Sequence, residues 1–254
     1  MNNNNQLFHK WLSYQGKTDN PIVFLHGFLE THSIWYYLPL DQLKRPILLI
    51  DIPGFGKSNL FDDNLPSISY FSSEIIDLLT SYKITSFDIV GHSMGGYIGL
   101  DILQQNPMTN KLVLLNSNFW EDPNNKKKER TRVADILLKS KNLFISEAIP
   151  NLFLNPKKDS KIVEQIVHEA KKGIAEWYAY ATIAMRERKD FTNFYLENTK
   201  QIKIIHGEFD HLISLEVLNE KSKNNPFEII KDSGHMSLFE KPDEVINVLI
   251  KLLN

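Results

Sequence analysis

Apolar runs without polar alternation recur along the chain, at residues 22–25 (Ile-Val-Phe-Leu), 47–50, 87–90, 112–115, 202–206 and 227–230. Such runs suit strands buried on both faces, as in a parallel sheet covered by helices. Between them the period becomes helical. Phe71, Ile75, Leu78, Leu79 and Tyr82 repeat at three- and four-residue steps, as do Val245, Ile246, Leu249, Leu252 and Leu253 after Pro242. A proline there fits the first turn of a helix. Strands alternating with helices predict parallel pairing through crossover helices, an α/β sheet. Residues 7–14 predict one more strand, antiparallel at the edge.

The alternation lapses between residues 119 and 194, where helical spacing persists without a convincing strand. Val133, Ile136 and Leu137 mark one helix, and Ile145, Ile149, Leu152 and Phe153 a second. Ile162, Ile166, Val167 and Ala170 mark a third, and Ile174, Trp177, Tyr178 and Ala181 a fourth. A helical block between two strands of a sheet predicts a lid. The expected organisation is a core of residues 1–118 and 195–254 with an inserted helical lid over 119–194.

Composition narrows the function classes. The chain has 254 residues, 42% apolar and 24% charged, ordinary for one globular α/β unit. A formal net charge of −2 gives no field to attract nucleic acid. With no cysteine there is neither disulfide nor thiolate site, which fits a reducing cytoplasm. The Asn-rich start lacks a signal-peptide pattern, and no run is long enough to span a membrane. The expected location is cytoplasmic, as monomer or homodimer.

Gly91-His92-Ser93-Met94-Gly95 is a G-x-S-x-G motif between a predicted strand and a helix predicted over 97–106. That context makes Ser93 a candidate nucleophile rather than part of an ordinary glycine-rich turn: a strand turning sharply into a helix lifts the serine above the sheet. A serine hydroxyl needs a base. His235, in Ser233-Gly234-His235 after the last predicted strand, stands where the chain order serine, acid, histidine requires one. The acid is expected after the penultimate strand, where Asp210 closes Gly207-Glu208-Phe209-Asp210 and Glu208 is the rival. Some triads take the acid one strand earlier, but there the chain reads Asn116-Ser117-Asn118, with no carboxylate until Glu121. Two backbone N–H groups must hold the oxyanion, and Met94 and Phe28 of His26-Gly27-Phe28 are the candidates.

These pieces, with Asp51-Ile52-Pro53-Gly54-Phe55-Gly56-Lys57-Ser58 between them, resemble the α/β-hydrolase superfamily in order and spacing over nearly the whole chain. The resemblance implies a mostly parallel eight-stranded sheet with a helical lid after the sixth strand, and a structural role for the 51–58 turn. Within the superfamily the chain is most similar to small serine esterases: the pimeloyl-ester carboxylesterases and the cofactor-free haloperoxidases. It is also similar to menaquinone-pathway lyases and carbon–carbon bond hydrolases. The lyases carry an arginine after the Gly-Gly of the elbow, where this chain has Tyr97.

The expected function is hydrolysis of a small-molecule carboxylic ester through an acyl-enzyme. The alternatives are carbon–carbon cleavage or elimination with the same triad, and ligand binding without turnover. His26, His92, Trp177, Tyr178, Met185 and Arg186 are candidate substrate-binding residues. Arg186 and Arg188 are carboxylate binders on one reading and surface ion-pair partners on the other. The basic run 126–132 reads as a solvated helix face. His206 and His211 have no carboxylate cluster at metal-ligand spacing around them and no nucleotide motif occurs, so neither metal nor cofactor is expected.

Overall fold

A computed structural model describes residues 7–12, 19–60 and 65–253. Among these, the strands are β1 (His9–Leu12), β2 (Ile22–Leu25), β3 (Ile47–Ile50), β4 (Phe87–His92), β5 (Thr109–Leu115), β6 (Ile202–Gly207) and β7 (Glu228–Ile230). They form one sheet in the order β1-β3-β2-β4-β5-β6-β7. β1 pairs antiparallel with β3 and every other pair is parallel. All four residues of β2 and of β3 are buried, as their unbroken apolar runs require.

The resemblance implied eight strands, and the described residues carry seven. Each of the seven segments that the sequence predicts as strands is a strand among the described residues. Two ends of predictions fall outside the described residues, namely the Asn run and residues 13–14 of the first predicted strand.

The helices are α1 (Ile68–Ser81), α2 (Met94–Gln105), α3 (Asn124–Ala148), α4 (Ser160–Lys171), α5 (Ala175–Arg186), α6 (Thr192–Glu197), α7 (Leu215–Lys221), α8 (Ser237–Glu240) and α9 (Pro242–Leu253). Residue alternation along β5 places α2 and α9 on opposite faces of the sheet. Leu112 and Leu114 lie against Gly99 and Gly96 of α2, whereas Lys111, one residue out of phase, donates to the Leu252 carbonyl of α9. Side chains from both faces form one continuous core, which includes the fully buried Phe24, Leu48, Ile89 and Leu114.

Residues 124–197, between β5 and β6, hold α3 to α6. α3 carries the helices expected from residues 133–137 and from the start of 145–153 as two segments, parted by a kink at Ser140, whose φ of −151° and ψ of 45° are not helical. It stops before Pro150, where a 3-10 turn takes over, because proline lacks the N–H that would continue the helix. No helix among the described residues is long and apolar enough to cross a membrane.

Candidate active site

Parallel strands put all their C-terminal ends on one edge, and the chemistry-bearing residues collect there. Ser93 follows β4 directly and caps α2, with φ 48° and ψ −115°. A non-glycine residue in that region costs about 1–3 kcal/mol and persists only where its surroundings impose it. Ser93 N–H donates to the Leu115 carbonyl (3.0 Å), and Ser117 Oγ donates to the Ser93 carbonyl (2.7 Å). The flanking glycines let the turn close. A Cβ on Gly91 would overlap the Gly95 carbonyl, and one on Gly95 would overlap the Leu25 carbonyl of β2. Gly95→Ala is therefore expected to destabilise the fold by about 2–3 kcal/mol, read as a lower urea midpoint. An unchanged midpoint would show that α2 has room to retreat.

Asp210 follows β6 and His235 follows β7. His235 Nδ1 donates to Asp210 Oδ2 at 2.8 Å, and its Nε2 lies 3.0 Å from Ser93 Oγ. An Nδ1–H bonded to a carboxylate leaves Nε2 free to accept from the serine hydroxyl. Glu208, the rival acid, accepts instead from the backbone N–H of Asp232 (3.0 Å).

Asp210 is held from several sides. Its Oδ1 accepts from the N–H groups of Leu212 (2.9 Å) and Ile213 (3.2 Å), and its Oδ2 from Asn116 Nδ2 (3.1 Å) as well as from His235. Burial alone would raise its carboxyl, but the charge and hydrogen bond of His235, with further contributions from His206 and Asn116, hold it far below the ordinary range. His206 lies behind it, with Nε2 donating to the Ile213 carbonyl (2.8 Å), and burial pushes it towards the neutral form.

Asn116 has no counterpart among the sequence-derived candidates, although it occupies the point after β5 where some triads carry their acid. Its Nδ2 also donates to the Gly234 carbonyl (3.1 Å), and Ser237 donates to its Oδ1. Glu240 is a second such residue. Its carboxylate accepts the N–H of Gly234 and of Leu154, each at 2.6 Å, while His235 N–H donates to the Leu152 carbonyl (3.1 Å). The loop carrying His235 is thus stitched to the segment after α3.

His26 and His92 lie behind the site surface, both fully buried. His26 Nδ1 donates to the Gly27 carbonyl (2.8 Å) and its Nε2 accepts from Ile52 N–H (3.0 Å), so both ring nitrogens are engaged by backbone. Burial lowers its affinity for a second proton. His92 bonds to Glu30 and to the His235 carbonyl.

Tyr178 of α5 packs on Phe28 and Phe55, with ring centroids 5.9 and 5.3 Å away, and its hydroxyl donates to the Ala170 carbonyl (2.9 Å). Trp177 lies over the 51–58 turn, against Gly54, which takes a φ of 84°. In that turn the Asp51 carboxylate receives the N–H groups of His32 (2.7 Å) and Lys57 (2.9 Å). Met185 is buried with its sulfur 3.4 Å from the Arg130 guanidinium.

The structure places Arg186 in an ion pair with Glu187 (2.6 Å), also bonded to Thr131. Arg188 is buried. It pairs with Asp122 (2.8 Å), donates to the Trp120 and Met185 carbonyls, and lies over the Tyr97 ring. The basic run meets Glu129, Glu121 and Asp122. Among the described residues no three potential ligand side chains cluster around a metal position.

The chain matches the model of the Alpha/beta hydrolase family over residues 22–248. It is 24% identical over 241 residues to the uncharacterized hydrolase YugF of Bacillus subtilis, covering 91% of this chain and 88% of that protein. Its fold is similar to that of a thermophilic esterase from Thermogutta terrifontis, with a TM-score of 0.87 at 22% identity over 97% of this chain and 92% of the other. It is also similar to MenH from S. aureus, with a TM-score of 0.80 at 20% identity over 96% and 97%. At these identities the two structures speak for the fold alone.

Proposed function

This chain belongs to the alpha/beta hydrolase family, and from that premise we propose that it is a serine hydrolase cleaving a small-molecule carboxylic ester through an acyl-enzyme on Ser93. The observation that carries the reading is the unbroken line Ser93 Oγ, His235, Asp210, with contacts of 3.0 and 2.8 Å. Ser93 attacks the ester carbonyl carbon as His235 Nε2 takes its proton. The negative charge that develops on the carbonyl oxygen is held by the backbone N–H groups of Phe28 and Met94, aided by the position of Ser93 at the start of α2. The tetrahedral species collapses as the imidazolium returns the proton to the leaving alkoxide. Water, deprotonated by His235, then attacks the acyl-enzyme and frees the acid and Ser93. Asp210 holds the imidazole tautomer and balances its transient charge. No step calls for a cofactor.

Residues 119–194 serve in this reading as the lid, and α5 presents Tyr178 to Phe28. The aromatic wall they form with Phe55 favours an apolar acyl group. Tyr178 acts by shape, since its hydroxyl is committed to Ala170 and burial raises its pKa. The test is a series of p-nitrophenyl esters of increasing acyl length. The expected result is saturable turnover with an optimum at short or medium chains. Inertness towards every ester, with cleavage of a vinylogous diketone instead, would replace this reading with carbon–carbon bond hydrolysis.

A further inference from the structure

Glu30 has no part in the steps above, yet it is buried at the junction of three segments that do. Its side chain is 3% exposed and that of His92 is 0% exposed. Glu30 Oε2 accepts the N–H of Gly27 (2.5 Å) and lies 2.9 Å from His92 Nδ1. On the other side of the ring, His92 Nε2 lies 3.1 Å from the main-chain carbonyl oxygen of His235. A carbonyl oxygen can only accept, so His92 Nε2 donates, and with Glu30 ionised Nδ1 donates as well, which makes the ring an imidazolium opposite a carboxylate. Burial opposes both charges. It pushes His92 down and Glu30 up, but it is outweighed by the partner together with the His235 carbonyl and Asp210 acting on His92, and His26 and the Gly27 amide acting on Glu30, so the net shifts run upward for His92 and downward for Glu30.

The backbone has made room for this pair. A Cβ on Gly27 would stand 2.7 Å from Glu30 Oε2 and 2.9 Å from His92 Nδ1, closer than real Cβ contacts come. Only a glycine lets the loop before Phe28 lie against both groups. One carboxylate thereby fixes the Gly27 amide beside the proposed oxyanion donor Phe28. Through His92 it fixes the elbow next to Ser93 and the main chain of His235. These contacts join positions 62 and 143 residues apart.

We propose that Glu30 and His92 form a buried ion pair that positions the oxyanion loop and the main chain of His235 against Ser93, making Glu30 a positioning residue for acyl transfer. The inference rests on the reading of Ser93, His235 and Phe28 given above. A displacement of about 1 Å at such a site costs up to about 100-fold in rate, and a buried ion pair is a means of holding a unique register.

Glu30→Gln keeps the size of the side chain and removes its charge. His92 then lacks a counter-ion in a buried site, becomes neutral, and gives up one of its two donated bonds. The expected result is a fall in kcat of about 10- to 100-fold with KM within about threefold of wild type. The acid limb of the rate profile is expected to move to higher pH, because a cation whose ring centroid lies 5.3 Å from that of His235 is lost. The other charged or titratable groups facing the pair are Asp210, which acts on His92, and His26, which acts on Glu30.

His92→Gln is the second variant, and the double variant Glu30→Gln/His92→Gln is expected to be no slower than the worse single one. A Glu30→Gln protein that melts earlier but keeps wild-type kcat and pH profile would overturn the proposal, as would full additivity in the double variant. The rate at which a p-nitrophenyl phosphonate labels Ser93 separates the two levels of the argument. If wild type is not labelled, the reading of Ser93 fails and the inference falls with it. If wild type and Glu30→Gln are labelled equally fast, the inference alone fails. Slower labelling of folded Glu30→Gln is the expected outcome.

Discussion

Ser93→Ala is expected to lower kcat on any accepted ester by about 10⁴- to 10⁶-fold, which is about 5–8 kcal/mol of transition-state stabilisation. The loss is total for the covalent route, because among the described residues no other hydroxyl has His235 Nε2 as its partner. The Ser117 hydroxyl is engaged with the Ser93 carbonyl (2.7 Å). The backbone needs no change, since the Ser93 N–H bond to Leu115 (3.0 Å) and the glycine contacts around the elbow do not involve the side-chain oxygen. Circular dichroism and the melting temperature should therefore match wild type, and substrate should still bind. Residual turnover of the size seen in wild type would mean that the hydrolysis comes from another residue or from a contaminant.

Asp210→Asn is the second large effect, and it follows from counting acceptors. Four donors converge on this carboxylate: His235 Nδ1 and Asn116 Nδ2 on Oδ2, and the N–H groups of Leu212 and Ile213 on Oδ1. An asparagine has one oxygen. If its NH2 replaces Oδ2, it opposes two donors, and His235 must move its proton to Nε2, where it can no longer accept from Ser93. If its NH2 replaces Oδ1, the turn after β6 is broken. The first arrangement leaves the fold intact and is expected to lower kcat by about 10³- to 10⁴-fold. Rate measured against pH is the discriminating experiment. With the His235 proton on Nε2, Ser93 has no base in the site and hydroxide must take its proton, so activity should recover in part at alkaline pH, and a variant as fast as wild type at neutral pH would remove Asp210 from the mechanism.

The same carboxylate links the site to stability. Its folded pKa lies far below the unfolded value, so its contribution is complete above about pH 4 and is lost as the pH falls through the folded value.

Ser93 was legible in the sequence because its signal is local: glycines on either side, an apolar strand before and a helix after. His235 and Asp210 were legible from the order of strands, since a parallel sheet sends each strand's C-terminal end to one edge. Asn116, Glu30 and Glu240 were not, because each is defined by partners 94, 62 and 86 residues away and carries no local pattern. Asn116 shows the difficulty most clearly. Its position carries no carboxylate, yet its amide reaches the carboxylate supplied by the next strand.

The six apolar runs and the edge segment at residues 7–14 match the seven strands among the described residues. Helix boundaries inside residues 119–194 were harder to read. The two helices expected there lie on either side of the kink at Ser140, but the second ends at Ala148 rather than running on to Phe153, because periodicity does not register the stop that Pro150 imposes. Arg188 carries both readings in its sequence context, and only its burial against Asp122 and Tyr97 separates them.

The most direct test of the central claim is to treat wild type and Ser93→Ala with a p-nitrophenyl phosphonate and to map the adduct by peptide mass spectrometry. The account predicts one equivalent of label on Ser93 with release of p-nitrophenol, and none on the variant. Label on another residue, or an unlabelled protein that still hydrolyses esters, would contradict it.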